Sequence, residues 1–414
     1  MKIVRFLLAV FFLPVLCAGS LAAMEPPGGG KWVGSWVSAQ QLVEPHNLPP
    51  PPGLSGNTLR QVIQPSLDGD RPRLTFSNQY GDGPLIIAAV TVARSAGGSA
   101  IEPGSTCPLT FAGERSVTIP PGAERTSDPA PFKVRAFENL AVSTHCTLVP
   151  AQVTGHPGSR TTSFIQQGEG VAADSFAAAA PTDHWYLLAA LDVWADDSAG
   201  AILVLGDSIT DGRGSTTNRN DRWPNNLARR LRTDARTANL AVLNQGIGGN
   251  RVLRNGLGPS ALQRFDRDVL GPPGVRWLIL FEGINDLGTA VGARARGEPA
   301  ATAGDITAGY EQMITRAHAR GLRVYGATLM PFQGFVSYND ALSETDRQAI
   351  NRWIRTSGKF DGVIDFDDLT RDRANSARLA PGIDGGDHLH PSAEGYKVMA
   401  DGIDPGLFMP SNGR

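Results

Sequence analysis

The sequence predicts an α/β chain in two parts: a β-sandwich-like domain, then a domain built on a parallel sheet with helices on both faces. Three observations predict it. The chain has 414 residues, enough for two domains or three. Its first half alternates short runs rich in Val, Ile, Thr and aromatics with Gly, Pro, Asn and Asp, and shows no helical periodicity. Its second half alternates apolar runs with helical patterns, the pattern of strands joined by crossover helices. The 48 Gly and 30 Pro residues fit a chain with many turns.

The β grammar runs from about Lys31 to about Trp194. "PRLTFSNQYGDGPLIIAAVTVARS" (72–95) predicts two strands around "NQYGDG". "FKVRAF" (132–137) alternates apolar and polar residues, as a half-buried strand does, and "HWYLLAALDVW" (184–194) continues the pattern. "LPPPPG" (48–53) is a loop or spacer without chemistry of its own. No internal repeat is visible. The small polar run "ADDSAG" (195–200) marks a boundary, giving a β-rich domain over 24–195 and a second domain over 200–414.

Beyond that boundary, "AILVLG" (201–206), "ANLAVLNQG" (238–246), "WLILFEG" (277–283), "LRVYGATL" (322–329) and "GVIDF" (362–366) read as buried strands. Helical patterns lie between them at 225–233, 305–321 and 343–358, and one more follows at 392–402. The segment from Ser343 opens Ser-Glu-Thr-Asp, a helix-start signal related to the capping box.

A net charge of −2 gives no electrostatic case for a nucleic-acid partner. At the N-terminus, Lys2 and Arg5 precede the apolar run "FLLAVFFLPVL" (6–16), with small residues at 20–23. That pattern predicts a signal peptide over 1–23 rather than a membrane anchor. Leu16 stands before Cys17 where a lipoprotein wants a small residue. The expectation is a secreted or periplasmic protein with no stable membrane insertion once the leader is removed. Cys107 and Cys146 then remain, and an even pair in an oxidising compartment predicts an intrachain disulfide.

In a parallel sheet the chemistry lies beyond the carboxyl ends of the strands. The first predicted strand ends in Asp207-Ser208, the second in "NQGIGGNR" (244–251) and the third in "GINDLG" (283–288). One rim therefore holds a serine, a glycine-rich loop with free backbone N–H groups and the amide of Asn285. Acyl transfer through serine needs a base for the hydroxyl and fixed donors for an oxyanion. The Ser208 N–H, an N–H of the Gly248-Gly249 turn and the Asn285 amide are candidate donors. The candidate base is His390, with Asp387 three residues earlier to fix its tautomer. His388 competes as base, and His390 is favoured because Asp387 lies three residues before it.

The blocks "GDSIT", "NQGIGG", "GIND" and "DHLHP", in that order, resemble those of the GDSL, or SGNH, hydrolase superfamily. The resemblance spans about Ile202 to Leu407. It implies a three-layer α/β/α, flavodoxin-like fold and a serine esterase that needs no metal or other cofactor. Position by position it implies Ser208, Gly249, Asn285 and His390 as the four name residues, with Asp387 as the acid. The familiar first block has Leu where Ile209 stands, and the adjacent glycines leave Gly248 or Gly249 as the donor. "RQVIQPSLDGD" and "LTFSNQYGDGPL" are similar to the β-rich domain of a secreted branch that includes acetylxylan-esterase-like proteins. Small-molecule or polysaccharide esters, acetyl esters foremost, are the expected substrates. Longer-chain lipase or arylesterase activity is the alternative, and a glycan-binding protein with a vestigial hydrolase domain is a third.

Competing readings exist. "DGGDHLH" (384–390) with "DFDD" (365–368) suggests a metal site, but without regular ligand spacing. The lysine of a phosphate-binding loop is absent near Gly206, and so is the Gly-x-Ser-x-Gly elbow around Ser208. Arg222, Trp223 and Arg251 are expected at surface or helix-packing positions rather than in a substrate cleft.

Overall fold

The structure, a computed structural model, describes residues 29–409. The predicted leader over 1–23 lies outside the described residues. The second half is a five-stranded, wholly parallel sheet. Its strands, numbered within that sheet, are β1 (Gly200–Gly206), β2 (Leu240–Gly246), β3 (Val275–Phe281), β4 (Arg323–Ala327) and β5 (Gly362–Ile364). They lie in the order β2-β1-β3-β4-β5. Every residue of β1 is buried, as its unbroken apolar run requires of a central strand covered on both faces.

Helices α1 (Ser208–Asp211), α2 (Trp223–Arg232), α3 (Ile284–Ala295), α4 (Ala303–His318), α5 (Ala341–Thr356) and α6 (Ala393–Asp401) connect and follow the strands. They pack in two groups: α2 against α6 and β2, and α5 against α3, α4 and β4. Two local readings change. Helix α5 starts earlier than its Ser-Glu-Thr-Asp run suggests: Asp340 is the N-cap, and Ser343 closes the capping box from the third helical position. Helix α3 was not legible, because its first turn is the "GIND" block itself and its polar face dilutes the periodicity.

The first half is antiparallel. One large sheet orders strands Lys31–Val37, Leu188–Ala195, Gly69–Ser77 and Lys133–Val134. Another is centred on Asn57–Ile63, Leu140–Leu148 and Leu85–Gly97. The segment "NQYGDG" therefore carries the chain from one sheet to the other. Only Lys133–Val134 of "FKVRAF" is strand, because Phe137 turns into a left-handed conformation (φ 66°). "HWYLLAALDVW" is likewise split at Leu187 (φ 66°).

The expected disulfide is absent. Cys107 and Cys146 are both free and buried. They lie on strands flanking opposite edges of Leu85–Gly97: Cys107 pairs with Val92, and Cys146 pairs with Ile87 on the other side. Two strand spacings and five residues of chain put their Cα atoms about 19 Å apart. A disulfide needs about 7 Å or less. Burial alone pushes the Cys146 thiol up to about 12.

The two halves share one hydrophobic core, in which Val33 and Leu191 join Val204 and Leu243. The Gly34 N–H donates to Pro273 O at 2.9 Å, and the Ser66 hydroxyl bonds both N and O of Val242 on β2. The β-rich half is thus seated on the edge of the parallel sheet.

Candidate active site

Register places the site. Gly206 pairs with Gly246 on one side and Phe281 on the other, so β1, β2 and β3 end level. The residues that follow each strand meet on one rim. After β1 the chain turns at once into α1. A side chain at Gly206 would lie 2.7 Å from Phe281 O and collide with Thr210, so this entry requires glycine. Asp207 caps the turn, its carboxylate accepting the Ile209 N–H at 2.9 Å. Ser208 is thereby the first residue of a single helical turn, closed by Gly212, whose N–H donates to Ser208 O.

Ser208 Oγ lies 2.8 Å from His390 Nε2. His390 Nδ1 lies 2.7 Å from Asp387 Oδ2, and Asp387 Oδ1 accepts the N–H groups of Leu389 and His390 at 3.0 and 2.8 Å. One carboxylate therefore both folds the loop and orients the imidazole. With Nδ1–H donating to Asp387, Nε2 faces the serine hydroxyl as an acceptor. His388 is exposed, left-handed (φ 67°) and paired with Asp384 instead. Burial lowers the His390 pKa below the usual imidazole value, Asp387 opposes that shift, and Arg213 and Arg160 add to it. Burial raises Asp387, but its hydrogen bonds from the His390 N–H and ring outweigh this and leave it below the usual carboxylate range.

The second rim element is the loop after β2. Gly249 sits at φ 72°, the left-handed region, while Gly248 does not. Among the described residues neither glycine N–H donates to a backbone or side-chain acceptor, and nor does the Ser208 N–H. Asn285, second residue of α3, donates from Nδ2 to Asn250 O and accepts at Oδ1 from the Tyr338 hydroxyl, both at 2.8 Å. Ser208, Gly248, Gly249, Asn285 and His390 all line one cleft of about 480 Å³.

Three supporting residues were missed in the sequence. Asp286 accepts the N–H groups of Val252 and Leu253, pinning the glycine loop to α3, and its place beside Asn285 was the available signal. Arg264, fully buried, donates to Gly206 O, Gln245 O and Asn250 Oδ1, so one guanidinium ties two strand ends to the loop. Nothing in "LQRFDRD" distinguishes it. Tyr338 ends a single 3-10 turn (Val336–Tyr338) whose sequence carries no distinctive pattern. Below the rim, burial pushes Asp207 up to about 7 and Asp286 to about 6. Glu282 goes well above the carboxylate range, chiefly by burial and then by the charge of Asp207, and its nearest cation is Arg264 at 3.8 Å.

The β-rich half reaches the turn that carries Ser208. His156, buried, places Nε2 2.9 Å from Asp211 Oδ1 and Nδ1 2.9 Å from Ala39 O. Arg160 Nε donates to Gly212 O at 2.7 Å, and Arg222 bridges Asp211 O and Ser159 O. Gln41, Glu44, His46, Asn47, Arg160 and His184 line the same cleft as Ser208.

Arg222 and Trp223 are buried packing residues, and the Arg251 guanidinium turns back onto Asn255 O. None of the three lines the cleft. The carboxylates of "DFDD" pair with arginines: Asp365 and Asp367 with Arg355, Asp367 also with Arg347, and Asp368 with Arg371 and Arg373. Among the described residues no three His, Cys, Asp or Glu side chains gather as a metal site, and no helix is long and apolar enough to cross a membrane.

Residues 204–398 match the model of the GDSL-like Lipase/Acylhydrolase family. No curated protein matches the chain. Among solved structures it is similar to an acetyl xylan esterase at 21% identity and a TM-score of 0.37, covering 49% of this chain and 96% of that one. It is similar to a carbohydrate acetylesterase family member from Sinorhizobium meliloti at 16% identity and a TM-score of 0.38, covering 50% and 97%. A lipase/acylhydrolase from Enterococcus faecalis aligns at 18% identity and a TM-score of 0.38, covering 49% and 92%.

Proposed function

We propose that the chain, whose residues 204–398 match the GDSL-like Lipase/Acylhydrolase family, is an exported serine esterase for short-chain, acetyl-type esters of carbohydrates. The observation that carries the mechanism is the line Ser208 Oγ, His390, Asp387, with contacts of 2.8 and 2.7 Å, opening into the cleft. In this reading Ser208 Oγ bonds to the ester carbonyl carbon as His390 Nε2 takes its proton. The oxyanion is held by the Ser208 N–H, the Gly249 N–H and the Asn285 amide, whose second N–H is free for it. The tetrahedral species collapses, the C–O bond to the alcohol breaks, and His390 returns the proton to the leaving oxygen. Water then attacks the acyl-enzyme with His390 as base, releasing the acid and restoring Ser208. Asp387 keeps the ring oriented and stabilises its charged form.

The cleft walls support the substrate class. Gln41, Glu44, His46, Asn47 and His184 offer hydrogen-bonding groups for hydroxyls, while the apolar lining is limited to Leu257, Phe335, Tyr338, Leu389 and Pro157. In the same reading the two helix groups cover opposite faces of the sheet, as a three-layer hydrolase requires, and the charged and apolar leader over 1–23 directs export.

The test is hydrolysis of 4-nitrophenyl acetate, butyrate and octanoate with Ser208→Ala as the blank. Ser208-dependent activity that falls steeply with chain length is expected. Activity rising with length would replace the acetyl reading by a lipase. Wild type equal to the blank would leave a binding protein with a vestigial site.

A further inference from the structure

We infer that the alcohol part of the substrate carries a carboxylate, as a uronate sugar does, and that Arg160 and Arg213 bind it beside Ser208. The inference rests on the esterase reading above and adds the substrate's charge to it.

Both arginines line the cleft of Ser208 and His390. Both are fixed to the nucleophile turn rather than to a distant scaffold. The Arg213 N–H donates to Ser208 O at 2.8 Å. Arg160 Nε donates to Gly212 O at 2.7 Å, which leaves its two terminal nitrogens for another partner. The Arg160 backbone is held at φ 46°, a left-handed conformation disfavoured for a side-chain-bearing residue and concentrated at functional positions. Among the described residues no carboxylate lies within 4.0 Å of either guanidinium, whereas Arg294 and Arg347 are pinned by Asp340 and Asp367.

The acidic groups that line the cleft are already engaged. Glu44 accepts from the Gln41 and Asn47 amides, and Asp211 faces His156. Two cations therefore face the site without a protein anion to answer them. Their position carries a cost to the chemistry, because both disfavour the imidazolium that His390 must become in the transition state. A substrate anion seated between them removes that cost as it binds. Guanidinium forks match a carboxylate bidentately. An acetyl group is too short to carry the anion, so it belongs to the alcohol.

The experiment compares O-acetylated methyl glucuronide with O-acetylated methyl glucoside, which differ only at C6, and adds the acetylated glucoside 6-phosphate as a third arm. For the wild type kcat/KM is expected to be about tenfold or more higher on the glucuronide at low salt, and the preference to shrink in high salt. Arg213→Gln, at an exposed side chain that makes no hydrogen bond among the described residues, should bring the glucuronide-to-glucoside ratio towards one, with Arg213→Lys keeping part of it. On the glucuronide alone, the acid limb of kcat should lie at higher pH than that of kcat/KM, since the bound anion eases protonation of His390. A ratio near one in a wild type that still turns over 4-nitrophenyl acetate through Ser208 overturns the anion site alone. A preference for the phosphate over the carboxylate overturns the uronate assignment. No Ser208-dependent turnover of any ester overturns the esterase reading itself.

Discussion

Replacing His156 by Ala should unfasten the β-rich half from the nucleophile turn. His156 and Asp211 are 4% and 2% exposed. Among the described residues the contact at 2.9 Å is the sole polar partner of the Asp211 carboxyl, since its Oδ2 has none. Taking away the sole partner of a buried carboxylate leaves it uncompensated, which costs about 3–5 kcal/mol. The imidazole also stacks on Trp185 with ring centroids 5.9 Å apart, so truncation removes packing as well. The expected loss is therefore in that range. Asp211→Asn keeps the shape and removes the charge, so the double variant should recover about 2 kcal/mol relative to His156→Ala alone. Urea unfolding followed by tryptophan fluorescence measures the cycle, with esterase activity in the same urea series as the second probe. In His156→Ala, activity should vanish at lower urea than the fluorescence change, because Asp211 closes the helical turn that Ser208 opens. A loss under about 1 kcal/mol, or an Asp211→Asn that brings no relief, refutes the argument that this pair is a buried clamp.

Three further outcomes are expected. Asn285→Ala should lower kcat about a hundredfold or more with a smaller change in KM, as for an oxyanion donor worth roughly 3 kcal/mol; unchanged kcat in steady-state kinetics removes it from that role. The base must be neutral, and burial lowers the His390 pKa, so the acid limb of kcat/KM should lie below pH 6.5 and activity should fall as pH drops through it; removing the charge of Arg213 should move that limb upward in a pH–rate profile. Alkylation of the denatured, unreduced protein should label both Cys107 and Cys146, with mass mapping of the peptides as the readout, whereas a disulfide would leave both unlabelled until reduction.

The strands of the parallel sheet were legible because each is a short apolar run, and a central strand leaves little room for another pattern. The rim was legible for a related reason: four blocks in fixed order sit where those strands end. Ser208, His390 and Asp387 come together because Asp387 and His390 share one turn, a spacing visible in the sequence. What was not legible depends on contacts across the chain. His156 and Asp211 stand 55 residues apart, and Arg264 reaches two strand ends from a short helix with no distinctive neighbours. Cysteine counting failed because parity says nothing about register: the two thiols are even in number and on opposite sides of one strand.

The sequence marks the first half as a separate β-rich domain, and its contacts argue that it belongs to the site. A module that only captures a glycan would sit beside the hydrolase with a polar interface. Here the two halves share one apolar core, and the segment from His156 to Arg160 holds the carboxylate and carbonyl that terminate the nucleophile's helical turn. The Gly34 and Ser66 bonds to Pro273 and Val242 fasten the same half to the edge of the parallel sheet. Gln41, Glu44, His46 and Asn47, with Arg160 and His184, line the same cleft as Ser208 and Asn285. In the proposed reading, bond making is set by the strand ends of the second half, and which alcohol reaches them is set by the cleft residues that the first half supplies. Substitutions at these residues should therefore change substrate preference more than the chemistry of a small neutral ester, because they touch the alcohol and not the carbonyl carbon.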